Sequence, residues 1–215
     1  MGYEAPMPVQ EEVIPFLLGE DNDVIALAQT GTGKTAAYGL PVLQKTDIHK
    51  QTPQALILCP TRELCLQIAG DLSDYSKYID ALKVLPVYGG SSIDSQIKAL
   101  KKGVHVVVAT PGRLLDLMNR RTVNLQEIKH VILDEADEML NMGFSESINA
   151  ILAEVPEGRN MLLFSATMPQ EIARITKEYM RDPKEIIIGR RNEGNQNIRH
   201  LYYMVHAKDK YLALK

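Results

Sequence analysis

The chain is poor in the features that hold metals, span membranes or draw in polyanions from a distance. Only two of its 215 residues are cysteine, Cys59 and Cys65, and they form neither a CxxC pair nor a zinc-like spacing. Each is expected as a small core residue in a reducing compartment. Five histidines, His49, His105, His130, His200 and His206, are scattered without metal-ligand spacing. No run of about 18 apolar residues occurs, which excludes a membrane-spanning helix. The N-terminus lacks a charged segment leading into an apolar stretch, so no signal peptide is expected and the cytoplasm is the expected location. Net charge is −3, so no global basic field exists. Any nucleic acid would have to be held by local groups, chiefly backbone amides and a few arginines. Repeats and low-complexity tracts are also missing.

What remains is an ordinary globular composition, 45% hydrophobic and 24% charged. Short apolar runs alternate with longer helical patterns. Strands are expected at Val24–Ala28, Ala55–Cys59, Lys83–Val87, Val104–Thr110, His130–Asp134, Asn160–Ser165 and Glu185–Ile188. Their hydrophobicity is nearly continuous, as in parallel strands covered on both faces. Helices are expected at Arg62–Tyr78, Ser92–Lys102, Pro111–Arg120 and Pro169–Met180, each with an apolar stripe. Alternation of this kind predicts an α/β fold with a doubly wound, mostly parallel sheet and helices on both faces. The polar, Gly/Asn-rich stretch 189–197 reads as a linker. A further strand at His200–Val205 and a helix from Lys208 to Leu214 are expected to begin a second domain.

In such sheets ligands gather at the carboxyl ends of the strands, and every polar cluster falls there. Ala28-Gln29-Thr30-Gly31-Thr32-Gly33-Lys34-Thr35 follows the first strand and opens a helix. That context suits a loop whose amides cradle the phosphates of a nucleoside triphosphate. Lys34 would reach the β- and γ-phosphates and Thr35 would offer a hydroxyl to Mg²⁺. The loop is expected to face solvent, so that Lys34→Ala lowers nucleotide affinity without unfolding. Asp134-Glu135-Ala136-Asp137 ends the fifth strand. Asp134 is placed to hold Mg²⁺ and Glu135 to orient and deprotonate an attacking water. Asp137 could equally cap the next turn. Pro60-Thr61-Arg62, Gly90 and Thr110-Pro111-Gly112-Arg113 suit a sugar-phosphate chain, although each alone reads as a helix cap beside a surface arginine. Ser165-Ala166-Thr167 could link the two ligand sites or simply form a polar turn. Gln10, near the head of a helix, has an amide suited to an adenine edge.

Taken together and in order, these segments resemble the DEAD-box RNA helicases, specifically their N-terminal RecA-like domain. Residues 2–10, Gly-Tyr-Glu-Ala-Pro-Met-Pro-Val-Gln, are similar to the adenine-recognising Q motif, with Tyr3 and Gln10 among its residues. Met7 stands where the family usually has Thr or Ser. The family's own phosphate loop has Ala at the position of Ala28. The resemblance implies a RecA-like P-loop NTPase fold over residues 1–188. It implies ATP and Mg²⁺ as cofactors, RNA gripped by its backbone without sequence preference, and a second RecA-like domain in the same chain. Asp137, Ser165 and Thr167 would couple nucleotide to RNA. It further implies that this half alone binds nucleotide but hydrolyses it poorly, because the arginine fingers belong to the second domain. The alternative is an ATP-gated RNA clamp with negligible turnover. An Asn-Lys-x-Asp guanine signature is missing, which weighs against a GTPase.

Overall fold

A computed structural model describes residues 4–20, 22–29, 31–188, 204–206 and 209–213. The elements alternate as expected. They are α1 (Pro8–Gly19), β1 (Val24–Leu27), α2 (Lys34–Lys45), β2 (Ala55–Leu58), α3 (Arg62–Tyr75), β3 (Val84–Val87), α4 (Ile93–Lys101), β4 (Val106–Ala109) and α5 (Pro111–Asn119). There follow β5 (His130–Leu133), α6 (Ala136–Asn141), α7 (Ser145–Glu154), β6 (Asn160–Ser165), α8 (Gln170–Tyr179), β7 (Lys184–Ile187) and a short α9 (Lys210–Ala213). The linker at 189–197 lies outside the described residues. So does most of the strand expected at His200–Val205, of which Met204 and Val205 are in coil.

The seven strands make one sheet in the order β3-β4-β2-β5-β6-β1-β7, and every pairing is parallel. Helices cover both faces. Successive residues of a strand point to opposite sides, so Leu56 and Leu58 enter one core while Ala55 and Ile57 enter the other. The inner strands β1, β2, β4, β5 and β6 are buried throughout. The edges differ: β3 is half-buried for most of its length and β7 is largely exposed. Pro86 sits inside β3, where a central strand would not tolerate it. The carbonyls of Lys83 and Val87 accept from the β4 side, so Pro86 turns its missing N–H toward the outer margin.

Several strands stop one residue earlier than expected. Ala28, Cys59, Thr110 and Asp134 still donate their amides to the neighbouring strand, but their own chain is already leaving the sheet. Helices α6 and α7 were not foreseen. Ile148, Ile151 and Leu152 of α7 are buried with helical spacing, but the run is short and follows a dense cluster of charge. Both cysteines are free and buried; the Cys65 thiol donates to the Val108 carbonyl at 3.2 Å.

His105 is fully buried beside the β4 start. Its Nδ1 accepts the Lys83 N–H at 3.0 Å, which leaves Nε2–H to donate to the Ile48 carbonyl at 3.2 Å. The neutral ring therefore satisfies two backbone groups. Burial, aided by Lys83, pulls its pKa below 6.5. A histidine with a depressed folded pKa contributes stability that is complete above its unfolded value and fades as pH falls through the folded one. Chemical denaturation of the free protein is expected to show stability declining below about pH 6.5, and His105→Gln is expected to flatten that limb. An unchanged slope in the variant would assign the acid sensitivity elsewhere.

Candidate nucleotide and nucleic-acid site

Because all strands run the same way, the loops after β1, β2, β3, β4, β5 and β6 meet at one rim. The rim has two halves. On one side the adjacent strands β5, β6 and β1 bring the acidic segment, Ser165–Thr167 and the phosphate loop together. On the other, β3, β4 and β2 carry the three turns expected for a sugar-phosphate chain.

The phosphate loop curls through Gly31 and Gly33, both left-handed at φ 81° and 83°. Gly33 is needed for a second reason: a Cβ there would lie 2.5 Å from the Gln10 Nε2. Gln10 is buried, donates to the Gly33 carbonyl at 3.2 Å and accepts the Met7 N–H at 2.9 Å. It thus ties the start of α1 to the loop. Thr32 Oγ1 donates to the Gln29 carbonyl at 2.8 Å. Tyr3 and Thr30 lie outside the described residues. Beside Gln10, a cavity of about 270 Å³ is lined by Ala5, Pro6, Ile14, Ala36 and Leu40. Its apolar walls and single buried amide suit a flat heterocycle.

Lys34, the first residue of α2, is 6% exposed rather than facing solvent. Its Nζ donates to the Ala28 carbonyl at 3.4 Å and lies 3.8 Å from Asp134 Oδ1. The two residues converge across the intervening strand β6, about 10 Å of sheet, because the lysine is long and the aspartate leans inward. Asp134 is 3% exposed. Its Oδ1 accepts the Glu135 N–H at 3.0 Å and its Oδ2 the Tyr38 hydroxyl at 3.0 Å. Burial pushes the Asp134 carboxyl above its usual range, and the Lys34 ammonium, the Tyr38 phenol and the Glu135 amide pull it partly back. Burial likewise raises the Tyr38 phenol, which keeps it a donor at neutral pH. Glu135 is left-handed at φ 52°, ψ 52°, a conformation a non-glycine residue adopts at a cost of about 1–2 kcal/mol. That turn lifts its side chain out of the strand direction just as the chain reaches the rim.

Asp137, Ser165 and Thr167 do meet. Asp137 Oδ2 accepts both the Thr167 N–H at 3.0 Å and its hydroxyl at 2.8 Å, while the Asp137 N–H donates to Ser165 Oγ at 3.3 Å. Asp137 Oδ1 also accepts the Glu138 N–H at 3.2 Å, a local turn contact.

On the other half, Thr61 caps α3 by accepting the Leu64 N–H at 3.2 Å. Arg62 is exposed and stacks over the Tyr88 ring at 5.1 Å. Gly90 is left-handed at φ 81° beside Arg62. Pro60 and Pro111 are buried, and Thr110 and Pro111 open α5 with the Thr110 side chain making no cap bond. Arg113 is turned inward: it donates to the Ser91 carbonyl at 3.2 Å and to Gln96 Oε1 at 3.1 Å. Gln96 in turn donates to the Tyr88 carbonyl and to Ser91 Oγ. Arg113 therefore braces the Gly89-Gly90 turn rather than presenting a free guanidinium. Tyr38, Tyr88 and Gln96 escaped the sequence reading. Tyr38 lies four residues after Lys34 and so shares its helix face; that spacing was the available signal.

Hard oxygen donors at Thr35 and Asp134, next to a loop shaped for phosphates, match the coordination taste of Mg²⁺. That ion commonly uses one or two carboxylates and completes its shell with phosphates and water. Among the described residues no helix is long and apolar enough to cross a membrane.

The DEAD/DEAH box helicase family description matches residues 7–175. The chain is 49% identical over 214 residues to the DEAD-box ATP-dependent RNA helicase CshA of Bacillus cereus, covering 100% of this chain and 40% of that protein. It is 49% identical over 208 residues to the ATP-dependent RNA helicase DeaD of Buchnera aphidicola, covering 97% and 34%. Among solved structures, a DEAD box protein from Methanococcus jannaschii superposes with a TM-score of 0.81 at 42% identity, over 97% of this chain and 56% of that one. The yeast splicing factor Prp28 gives a TM-score of 0.83 at 31% identity, over 90% and 47%. The chain therefore spans well under half the length of the curated relatives it matches.

Proposed function

Because the chain belongs to the DEAD/DEAH box helicase family, we propose that it is the ATP-binding, N-terminal RecA-like part of a cytoplasmic ATP-dependent RNA helicase. The observation that carries this reading is the approach of Lys34 Nζ to within 3.8 Å of Asp134 at the sheet rim. A buried cation and a buried carboxylate thus lie together beside the loop at 28–35, which supports a site for a phosphate–metal group.

In this reading residues 1–188 form the nucleotide unit, 189–197 a linker, and 198–215 the start of a second RecA-like domain. The much greater length of the relatives supports that division. Gln10 and the cavity beside it take the adenine. The amides of residues 28–35 and the Lys34 ammonium bind the phosphates. Thr35 and Asp134 hold Mg²⁺, which when bound neutralises charge on the β- and γ-oxygens. Glu135 orients a water toward the γ-phosphorus and accepts its proton as the bond to the β–γ bridging oxygen breaks. Thr61, Arg62, Gly90 and Thr110 grip the RNA backbone, the buried Pro60 and Pro111 set the turns that carry them, and Arg113 shapes that grip through the Gly89-Gly90 turn. The Asp137–Ser165–Thr167 bonds carry nucleotide state toward the RNA half. Arginine fingers from the second domain supply roughly 10³–10⁵ of the rate in related NTPases, so residues 1–215 alone turn over slowly.

Titration of this chain with fluorescent ADP and GDP is expected to show adenine preferred by about tenfold, the worth of one net hydrogen bond. Equal binding of GDP would return the site to a GTPase or metabolic kinase. In the full-length protein, RNA is expected to accelerate ATP hydrolysis and a short duplex to lose a strand. RNA binding gated by ATP without such turnover would favour the clamp instead.

A further inference from the structure

We propose that Tyr38 is a positioning residue for the metal-and-phosphate end of this site, its phenol fixing the Asp134 carboxylate in one orientation. The inference rests on the nucleotide reading above and adds a residue to it.

Tyr38 is fully buried, and its hydroxyl donates to Asp134 Oδ2 at 3.0 Å. One turn of α2 thus presents an ammonium at 34 and a phenol at 38 to a carboxylate that arrives from the end of β5. The ring itself is held against Phe164, with centroids 5.1 Å apart and planes at 56°. With Oδ2 engaged by the phenol and Oδ1 by the Glu135 amide, the carboxylate cannot rotate freely.

Packing does not demand the hydroxyl. Phenylalanine would fill nearly the same volume, and a buried hydroxyl is unfavourable unless it is bonded. Many buried tyrosines simply find a backbone carbonyl. Here the partner is the charged group of the site, and the donor comes from the helix that also carries Lys34 and Thr35. Oriented carboxylates of this kind bind metals more tightly than loose ones, and losing the supporting partner typically costs about 10–100-fold in metal affinity.

The test is the magnesium dependence of fluorescent-ADP affinity, measured for residues 1–215 in excess Mg²⁺ and in EDTA. In Tyr38→Phe the tightening produced by Mg²⁺ is expected to shrink by about tenfold or more, while affinity in EDTA is expected to stay within about twofold, since the phenol is fully buried behind Asp134. Leu117→Ala, in the core on the opposite face of the sheet, serves as the stability control: it is expected to lower Tm and keep the magnesium effect. A Tyr38→Phe protein whose magnesium effect is unchanged or larger, or whose two affinities fall together, overturns the inference and leaves Tyr38 a core residue. A wild-type protein with no magnesium effect overturns the Thr35–Asp134 assignment itself, and this inference with it.

Discussion

Glu135→Gln is expected to slow RNA-stimulated ATP hydrolysis in the full-length protein by about 10²–10⁴-fold, the usual contribution of a positioned general base. Nucleotide affinity is expected to stay within about twofold, because an amide of the same shape loses only the ability to accept the proton of the attacking water. Single-turnover kinetics beside equilibrium titration separates the two quantities. Turnover that survives the substitution would remove Glu135 from the base role. A companion substitution probes the backbone. Glu135 occupies a left-handed conformation at φ 52°, which glycine adopts without strain. Glu135→Gly is therefore expected to raise the stability of the free protein by up to about 1 kcal/mol while abolishing turnover. Opposite signs for stability and activity at one position are the mark of a residue kept for chemistry.

The second large effect is at Lys34. Removing its ammonium takes away a charge-assisted contact to phosphate, so Lys34→Ala is expected to weaken ADP binding by about 10–100-fold. The same change is also expected to destabilise the free protein, contrary to what a solvent-facing loop would suggest. Lys34 and Asp134 are both nearly buried and 3.8 Å apart. Breaking a buried pair from one side leaves an uncompensated charge, at a cost on the order of 3 kcal/mol. The sign with pH follows from Asp134. Its carboxyl already lies above the usual range because of burial, and Lys34 is the strongest influence pulling it down. Without Lys34 the folded protein binds that proton more avidly than the unfolded chain does. The stability deficit of Lys34→Ala therefore grows as pH rises and shrinks in acid. Urea denaturation at about pH 5 and pH 8 would reveal the slope. Adding Asp134→Asn is expected to restore most of the stability and none of the binding. A deficit independent of pH would mean that the lost packing of the lysine stem dominates.

Much of this site was legible because parallel sheets impose a simple rule: whatever follows a strand lands on one rim. Continuous apolar runs located β1, β2, β4, β5 and β6, and the polar residue after each run located a piece of the site. Pairwise geometry was less accessible. Spacing along the chain showed that Lys34 and Asp134 share a rim, but not that both are buried. Nor did it show that Arg113 turns back to brace the loop after β3. The direction of a guanidinium depends on which carbonyls a distant turn leaves unsatisfied, and the Ser91 carbonyl is two elements away. Tyr38 was hidden for a different reason. In an apolar helix stripe a tyrosine reads as filler, and only the Asp134 carboxylate 3.0 Å away shows that its oxygen matters. Gln10 combined both difficulties: its amide was noticed, whereas its hold on the Gly33 carbonyl required a tertiary contact.

Pro86 carries a consequence for the company this protein keeps. A parallel sheet of seven strands offers, at its edge, a template of unpaired backbone groups onto which a strand of a second copy could pair. With no N–H to offer at the outer margin of β3, Pro86 breaks that template in its middle. The β3 edge is thereby a poor seat for a strand of a second copy.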